Sequence, residues 1–326
     1  MGRILSLAFL AVFVAATPAW SQPLRKVLYL LPAPLTLPAF GPWVLARSRG
    51  YFRQEGLDVV FQLARGGVDV AKQVGAGNAV VGGAIGDTPI MVRANGVPVR
   101  AVAVLGGGGL MQLVINADRG ITGLADLKGR VITTMAYQDT TFFALLGMLA
   151  TVGLTKNDVN AQAVGPVNVW KLFAAGQADA MASTPDWTYE VRRANPSMRL
   201  RVIPSDSVFK SMAQAIIVAD DTINHDPELV QRLVRATLRG MKAIMDDPAG
   251  AAADYVKALP EHADDLDGMI SVFKGYDEFV YPGQSVLGAM DPARLASLQK
   301  FYLAQGLIER STPVDELYTN RFVEPR

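Results

Sequence analysis

The sequence predicts an α/β protein of two lobes, each a mixed sheet flanked by helices, with the chain crossing between the lobes twice. Three observations predict it. Strand-like apolar runs alternate with short helical runs from residue 26 to residue 105, and glycines punctuate the joins. The same alternation returns from 116 to 201. Two look-alike segments bracket that second block: residues 112–118 and 214–220 share Gln, Ile, Ala and Asp at matching places. Taken singly, they are two buried strands whose likeness is coincidental. Taken as a pair, they carry the chain into a second lobe and back, which makes a hinge with a cleft between the lobes.

The elements follow in order. Residues 26–31 are the first strand, and a Pro-rich loop leads to a helix over 42–48. Gly50 suits a left-handed helix stop, and the short turn 51–55 stops the same way at Gly56. Residues 57–62 alternate as a strand. Helices over 68–74 and 88–94 and strands over 79–85 and 99–105 complete the first block, an arrangement that favours parallel neighbours covered on both faces. The run Gly106 to Gly109 reads as a flexible connection into the first crossing.

In the second block the strands are 131–135, 161–164, 178–183 and 200–203. Its clearest helix, 139–152, carries Phe142, Leu145, Leu146, Leu149 and Val152 on one face. Beyond the second crossing, Asp226-Pro227-Glu228 supplies a cap, a proline and an early acid that open a long helix. Arg232, Arg235, Arg239 and Lys242 form a basic stripe on it, either a solvated face or a docking surface. The tail from 291 to 323 contains an amphipathic helix ending at Gly306. The expected organisation is a leader over 1–21, the first lobe over 22–112, the second over 113–213, and a return to the first over 214–326.

The leader is read from Arg3, the apolar run 4–16 and the small residues Ala19 and Ser21 at the two positions that a signal peptidase reads. The run is too short to span a bilayer, and no later segment has 18 consecutive apolar residues, so an exported, soluble, periplasmic chain is expected. Half the residues are hydrophobic and 19% are charged, enough for two domains with a large core. A formal charge of +1 provides no field to attract nucleic acid, and none is expected as a partner. There is no cysteine, which removes disulfides, thiolate nucleophiles and cysteine metal sites.

The strand, loop, helix and double glycine stop of residues 27–61 resemble the first βαβ unit of the substrate-binding proteins that serve ABC importers for taurine, alkanesulfonates, nitrate and thiamine-pyrimidine precursors. The likeness runs through the whole chain after the leader, and the two crossings match the layout of type II periplasmic binding proteins. The resemblance implies a small-molecule ligand held by cleft closure, and as partners an ABC permease with a cytoplasmic ATPase. Alternatives are a sensing subunit that reports to a membrane kinase, and an anion binder of the sulfonate or nitrate type.

Catalytic constellations are absent. His225 and His262, the only histidines, have no metal-ligand spacing to one another and read as surface residues. Gly75 to Val80 fails the dinucleotide fingerprint at Val80 and precedes a strand where it should follow one. One eukaryotic branch of the resembled family consists of pyrimidine synthases that use histidine and a cysteine-rich motif with iron. This chain has no cysteine for such a motif, so the expectation is a protein that is not an enzyme and has no cofactor.

Ligands of two-lobed α/β proteins meet loops at the carboxyl ends of strands and the starts of helices. Applied here, that rule selects Thr36, Phe40, Trp43, Arg65, Gly66, Asp87 and Thr88 from the first lobe. From the second it selects Tyr137, Gln138, Asp139, Thr140, Asn168, Asp186 and Trp187. Phe40 and Trp43 are each pocket wall or core. Trp187 stacks on a ring or packs in the core. Asp87, Thr88, Asn168 and Asp186 each cap a helix or face the ligand. Sulfonate binders resemble this chain around residue 139 but carry Gly-Ser or Gly-Thr there, where free N–H groups receive an anion. The carboxylate of Asp139 would repel such an anion. Asp139 therefore caps its helix, binds an amine or ring N–H, or meets one end of a ligand whose anionic end lies on Arg65. An aromatic or heterocyclic ligand, pyrimidine-like, is the resulting expectation.

Overall fold

A computed structural model describes residues 23–323. The leader expected over 1–21 lies outside the described residues. The strands are, in chain order, β1 (Arg25–Leu31), β2 (Leu57–Leu63), β3 (Val81–Ile85), β4 (Val99–Val104), β5 (Gln112–Asn116), β6 (Val131–Thr134), β7 (Asn160–Ala163), β8 (Ala180–Ser183), β9 (Leu200–Pro204) and β10 (Gln214–Ala219). They form two five-stranded sheets of matching design, β2-β1-β3-β10-β4 and β7-β6-β8-β5-β9. Both are mixed. β1 runs parallel to β2 and β3, while β10 lies antiparallel between β3 and β4. In the second sheet β6 runs parallel to β7 and β8, while β5 lies antiparallel between β8 and β9.

The look-alike segments thus occupy the same place in the two sheets. Each is the strand with which the chain enters a lobe after crossing from the other. Their common apolar pattern has a common cause, because a strand second from a sheet edge is covered on both faces, and all of Ala215 to Val218 are inaccessible.

The helices are α1 (Gly41–Ser48), α2 (Tyr51–Gln54), α3 (Gly67–Gly75), α4 (Thr88–Arg93), α5 (Thr140–Ala150), α6 (Asn168–Ala174), α7 (Pro185–Ala194), α8 (Asp220–His225), α9 (Pro227–Asp246), α10 (Pro248–Ala258), α11 (Leu266–Phe279), α12 (Pro292–Ala304) and α13 (Val314–Leu317). None among the described residues is long and apolar enough to cross a membrane. Gly50 and Gly56 both take left-handed angles (φ 73°) after α1 and α2, as their stops require. Helix α9 buries Leu229, Leu233, Thr237, Met241 and Ile244. Its basic stripe is partnered inside the chain: Arg232 on Glu228, Arg235 on Glu55, Lys242 on Asp246, and Arg239 over the ring of Tyr51 at 4.0 Å.

The glycine run after β4 departs from the flexible connection expected of it. Gly107 N–H donates to the carbonyl of Pro282 (3.1 Å) and Gly108 N–H to that of Val280 (2.9 Å). A Cβ at Gly106 would lie 2.1 Å from the Val280 oxygen. Gly106 takes a positive φ (128°), and at Gly106, Gly107 and Gly108 a second backbone approaches too closely for any side chain.

Candidate functional site

Between the lobes lies a narrow cleft. The first lobe lines it with the loop after β1, including Ala33, Leu37 and Phe40, and with Ala84 and Ile85 at the end of β3. The second lobe supplies Met135, Asp139, Thr140 and Thr141 after β6, and Thr184, Asp186 and Trp187 after β8. The crossings form the floor through Leu110, Met111 and Gln214. The walls come from carboxyl ends of parallel strands in both lobes, as open α/β sheets dictate.

Local sequence fixes each polar wall residue. Asp139 has extended angles and caps α5, its Oδ1 accepting from Thr141 N–H at 2.9 Å. Its Oδ2 accepts from Gly67 N–H of the other lobe at 3.1 Å. Pro185 opens α7 and places Asp186 and Trp187 in its first turn. Asp186 Oδ1 accepts from the Tyr276 hydroxyl at 3.0 Å. Burial raises the pKa of both Asp139 and Asp186, opposed by the hydrogen bonds that each accepts.

Four polar atoms on cleft-lining residues are buried without a well-formed hydrogen bond: Thr141 Oγ1, Thr184 Oγ1, Asp186 Oδ2 and Trp187 Nε1; the Thr141 and Thr184 hydroxyls stand beside the Asp139 and Asp186 carboxylates and oppose the rise in their pKa. A buried polar atom left unbonded costs roughly 1–3 kcal/mol, and a ligand that supplies the partner recovers that cost. Among the described residues lining the cleft there is no lysine, arginine or histidine. The site is apolar on most sides, offers one indole donor, two hydroxyls and a carboxylate, and carries no compensating cation.

Phe40, Asp139, Thr140, Asp186 and Trp187 are thus brought together, and Trp187 is 3% exposed. Other expected site residues stand elsewhere. Trp43 is fully buried in the first-lobe core, edge-on to Tyr29 and Phe40, and is no pocket wall. Arg65 is exposed, its backbone N–H donates to Asp69, and it does not line the cleft. Asn168 is exposed, with its amide on the carbonyl of Val164. Tyr137 is 49% exposed and hydrogen-bonded to the carbonyl of Ala161. Gly66 and Gln138 belong to the contact between lobes, where Val68 N–H donates to the carbonyl of Gln138 (3.1 Å). Asp87 lies inside the first lobe on Tyr302, and Thr88 Oγ1 accepts from Ile85 N–H.

Thr36 stands behind the wall. Its carbonyl takes hydrogen bonds from Tyr255 and from His262 Nε2 (2.8 Å). His262, expected as a bystander on the surface, therefore holds the cleft loop in place. Thr184 and Gln214 were missed by the rule that searched loops alone. Gln214 had a signal, the glutamine repeated at 112 and 214, which marks the first residue after each crossing.

A family model described as NMT1/THI5 like matches residues 37–251. The riboflavin-binding protein RibY of Chloroflexus aurantiacus is 25% identical over 291 residues, covering 87% of this chain and 82% of that protein. A 4-amino-5-hydroxymethyl-2-methylpyrimidine phosphate synthase of Aspergillus parasiticus is 26% identical over 237 residues, 68% of each chain. In fold, the alkanesulfonate-binding protein SsuA of Xanthomonas axonopodis pv. citri superposes with a TM-score of 0.68 at 18% identity, covering 91% of this chain and 98% of that one. The synthase corrects one expectation. Enzymatic function was excluded on the lack of cysteine, yet a protein named as a synthase matches two thirds of this chain, so that exclusion does not stand.

Proposed function

This chain belongs to the NMT1/THI5-like family, and from that premise we propose that it is the extracytoplasmic solute-binding subunit of an ABC importer, exported to the periplasm, whose lobes close on a small heterocyclic compound. One observation carries the reading: an interlobe cleft with apolar walls, four buried polar atoms without well-formed hydrogen bonds and no lining cation. Phe40 and Trp187 provide ring-stacking walls, which contribute roughly 0.5–1.5 kcal/mol each beyond area burial. Trp187 Nε1 donates to a ring acceptor. Asp186 Oδ2 accepts from an amino group or ring N–H, and Thr141 and Thr184 satisfy the remaining edge. Aminopyrimidines have this alternation of donors and acceptors. The names of two relatives, one for riboflavin and one for an aminopyrimidine phosphate, concern nitrogen heterocycles of that kind. In this reading the permease and its ATPase receive the closed form, and closure is favoured by the ligand's greater affinity for closed than open lobes.

A second reading is conversion of the bound compound in the same cleft, favoured by the synthase relative. One experiment separates the two. The protein is screened by thermal shift against pyrimidines, flavins, sulfonates, aromatic acids and amines, and the stabilising compound is then recovered and identified by mass spectrometry. Stabilisation by a pyrimidine recovered unchanged and stoichiometrically supports capture. A changed compound supports conversion. Stabilisation by sulfonates alone rejects the heterocycle.

A further inference from the structure

Asp139 serves two helix starts at once. Its Oδ1 accepts from Thr141 N–H in the first turn of α5, in the second lobe, and its Oδ2 accepts from Gly67 N–H at the start of α3, in the first lobe. Gly66 makes the approach possible, because a Cβ there would lie 3.0 Å from the Gln138 oxygen and 3.1 Å from Asp139 Cα. Asp139 is 3% exposed, so both bonds act where water does not weaken them. Helix starts carry free N–H groups and partial positive charge, and two of them converging make a place for an anion. Here the anion is the protein's own, attached to one lobe and received by the other.

We propose that Asp139 is an interlobe bridge that stands in for a bound anion. It ties α3 to α5 in the absence of ligand, and it bars anionic ligands from that end of the cleft, which leaves the cleft to uncharged or cationic solutes. The charge class of the solute rests on the capture reading; the bridge itself does not. Thr141 Oγ1, buried beside the carboxylate that it helps to stabilise, joins the two N–H groups as a third donor once the carboxylate is removed.

Asp139→Ser tests the bridge because serine still caps α5 but is too short to reach Gly67. Asp139→Asn keeps the shape without the charge. Amide hydrogen exchange is followed at Gly67 and Val68, and methanesulfonate binding is measured by calorimetry. In the unaltered, ligand-free protein both amides are expected to be protected. In Asp139→Ser their exchange rises by about tenfold or more, and methanesulfonate restores the protection. Methanesulfonate is expected to bind the serine variant at least about tenfold more tightly than the unaltered protein, since a like charge has left the site. Rapid exchange of both amides in the unaltered protein overturns the bridge. Equal methanesulfonate affinity of unaltered protein and variant, or none for the variant, overturns the stand-in role. If Asp139→Ser fails to fold, Asp139→Asn takes its place in the same comparison, and exchange in the unaltered protein decides the bridge by itself. No arm uses a heterocycle, so failure here is separate from failure of the capture reading.

Discussion

Asp87 has one carboxylate oxygen on the Tyr302 hydroxyl and the other without a partner. Burial pushes its pKa up to about 6, the Tyr302 hydrogen bond opposes the rise, and the charge of Asp139 adds to it. The folded chain therefore holds a proton that the unfolded chain releases between about pH 4 and pH 6. More protons bound in the native state make stability fall as pH rises through that window, and level off above it. The expected loss is roughly 3 kcal/mol. Asp87→Asn should gain about that much on the unaltered protein between pH 4 and pH 7 in urea denaturation, and parallel stabilities at the two pH values would reject the assignment. Trp187 makes a second case. Its ring lines the cleft but also belongs to the core, so Trp187→Ala would cost about 3–5 kcal/mol of stability and confuse the two roles. Trp187→Phe keeps one six-membered aromatic ring and removes the fused five-membered ring together with its N–H. It is expected to cost about 1–2 kcal/mol of stability for the space left behind, less than Trp187→Ala, and to weaken binding of the heterocycle by at least roughly 2- to 10-fold, one hydrogen bond's worth with some stacking area; unchanged affinity in calorimetry would remove Nε1 from the site. Single residues were the least legible part of the sequence. Phe40 and Trp43 stand one helical turn apart with the same chemistry, yet one faces the cleft and the other the core, because that choice depends on where Tyr29 of β1 lies. Asp139 read as a cap or a ligand contact, and the fold shows the cap joined by a bond to Gly67 of the other lobe, which no local pattern announced.

Two interior helix glycines have opposite environments. In α9, a Cβ at Gly240 would lie 1.9 Å from the carbonyl oxygen of Pro42, where α9 crosses α1. In α11, a Cβ at Gly275 would meet nothing within 4 Å. Alanine is the better helix former by about 0.5–1 kcal/mol at either place. Gly275→Ala should therefore stabilise by about that amount. Gly240→Ala should destabilise by about 1–3 kcal/mol or more, because the helices must separate. Equilibrium urea denaturation of the two variants reads the sign directly, and two shifts of the same sign would contradict the packing described. Elements were more legible than residues because their signals are local. Alternation, proline at helix starts and glycine at helix stops lie within a few residues, and β2, α3 and α9 stand where those signals put them. The glycine run 106–109 shows the limit. The partners of Gly106, Gly107 and Gly108, residues 279–283, are more than 170 positions away, and no local pattern distinguishes a glycine that bends from one that is approached.

At the scale of the molecule, two sheets of the same strand order face each other across one cleft, and the chain passes between them before β5 and before β10. The repeated segment at 112 and 214 made that arrangement legible, because both crossings demand the same kind of strand. The closed fit of the lobes was not legible, since it depends on loops that meet only once both sheets exist. If solutes enter by separation of the lobes, a bond across the mouth of the cleft must stop them. Gly67 and Thr140 face each other there: a Cβ at Gly67 would lie 3.3 Å from Thr140 Oγ1. A cysteine sulfur at 140 in the place of Oγ1 would lie close to the about 3 Å that separates a disulfide sulfur from the far Cβ, and the chain has no other cysteine to compete. The double variant Gly67→Cys, Thr140→Cys should bind the compound returned by the thermal-shift screen when reduced. Oxidised without ligand, it should bind none, and oxidised after loading it should release none on dialysis. Recovery of both behaviours on reduction excludes damage to the fold. Free exchange of ligand in the oxidised form would show that the solute reaches the protein by another route, and the cleft between the lobes would then no longer be its binding site.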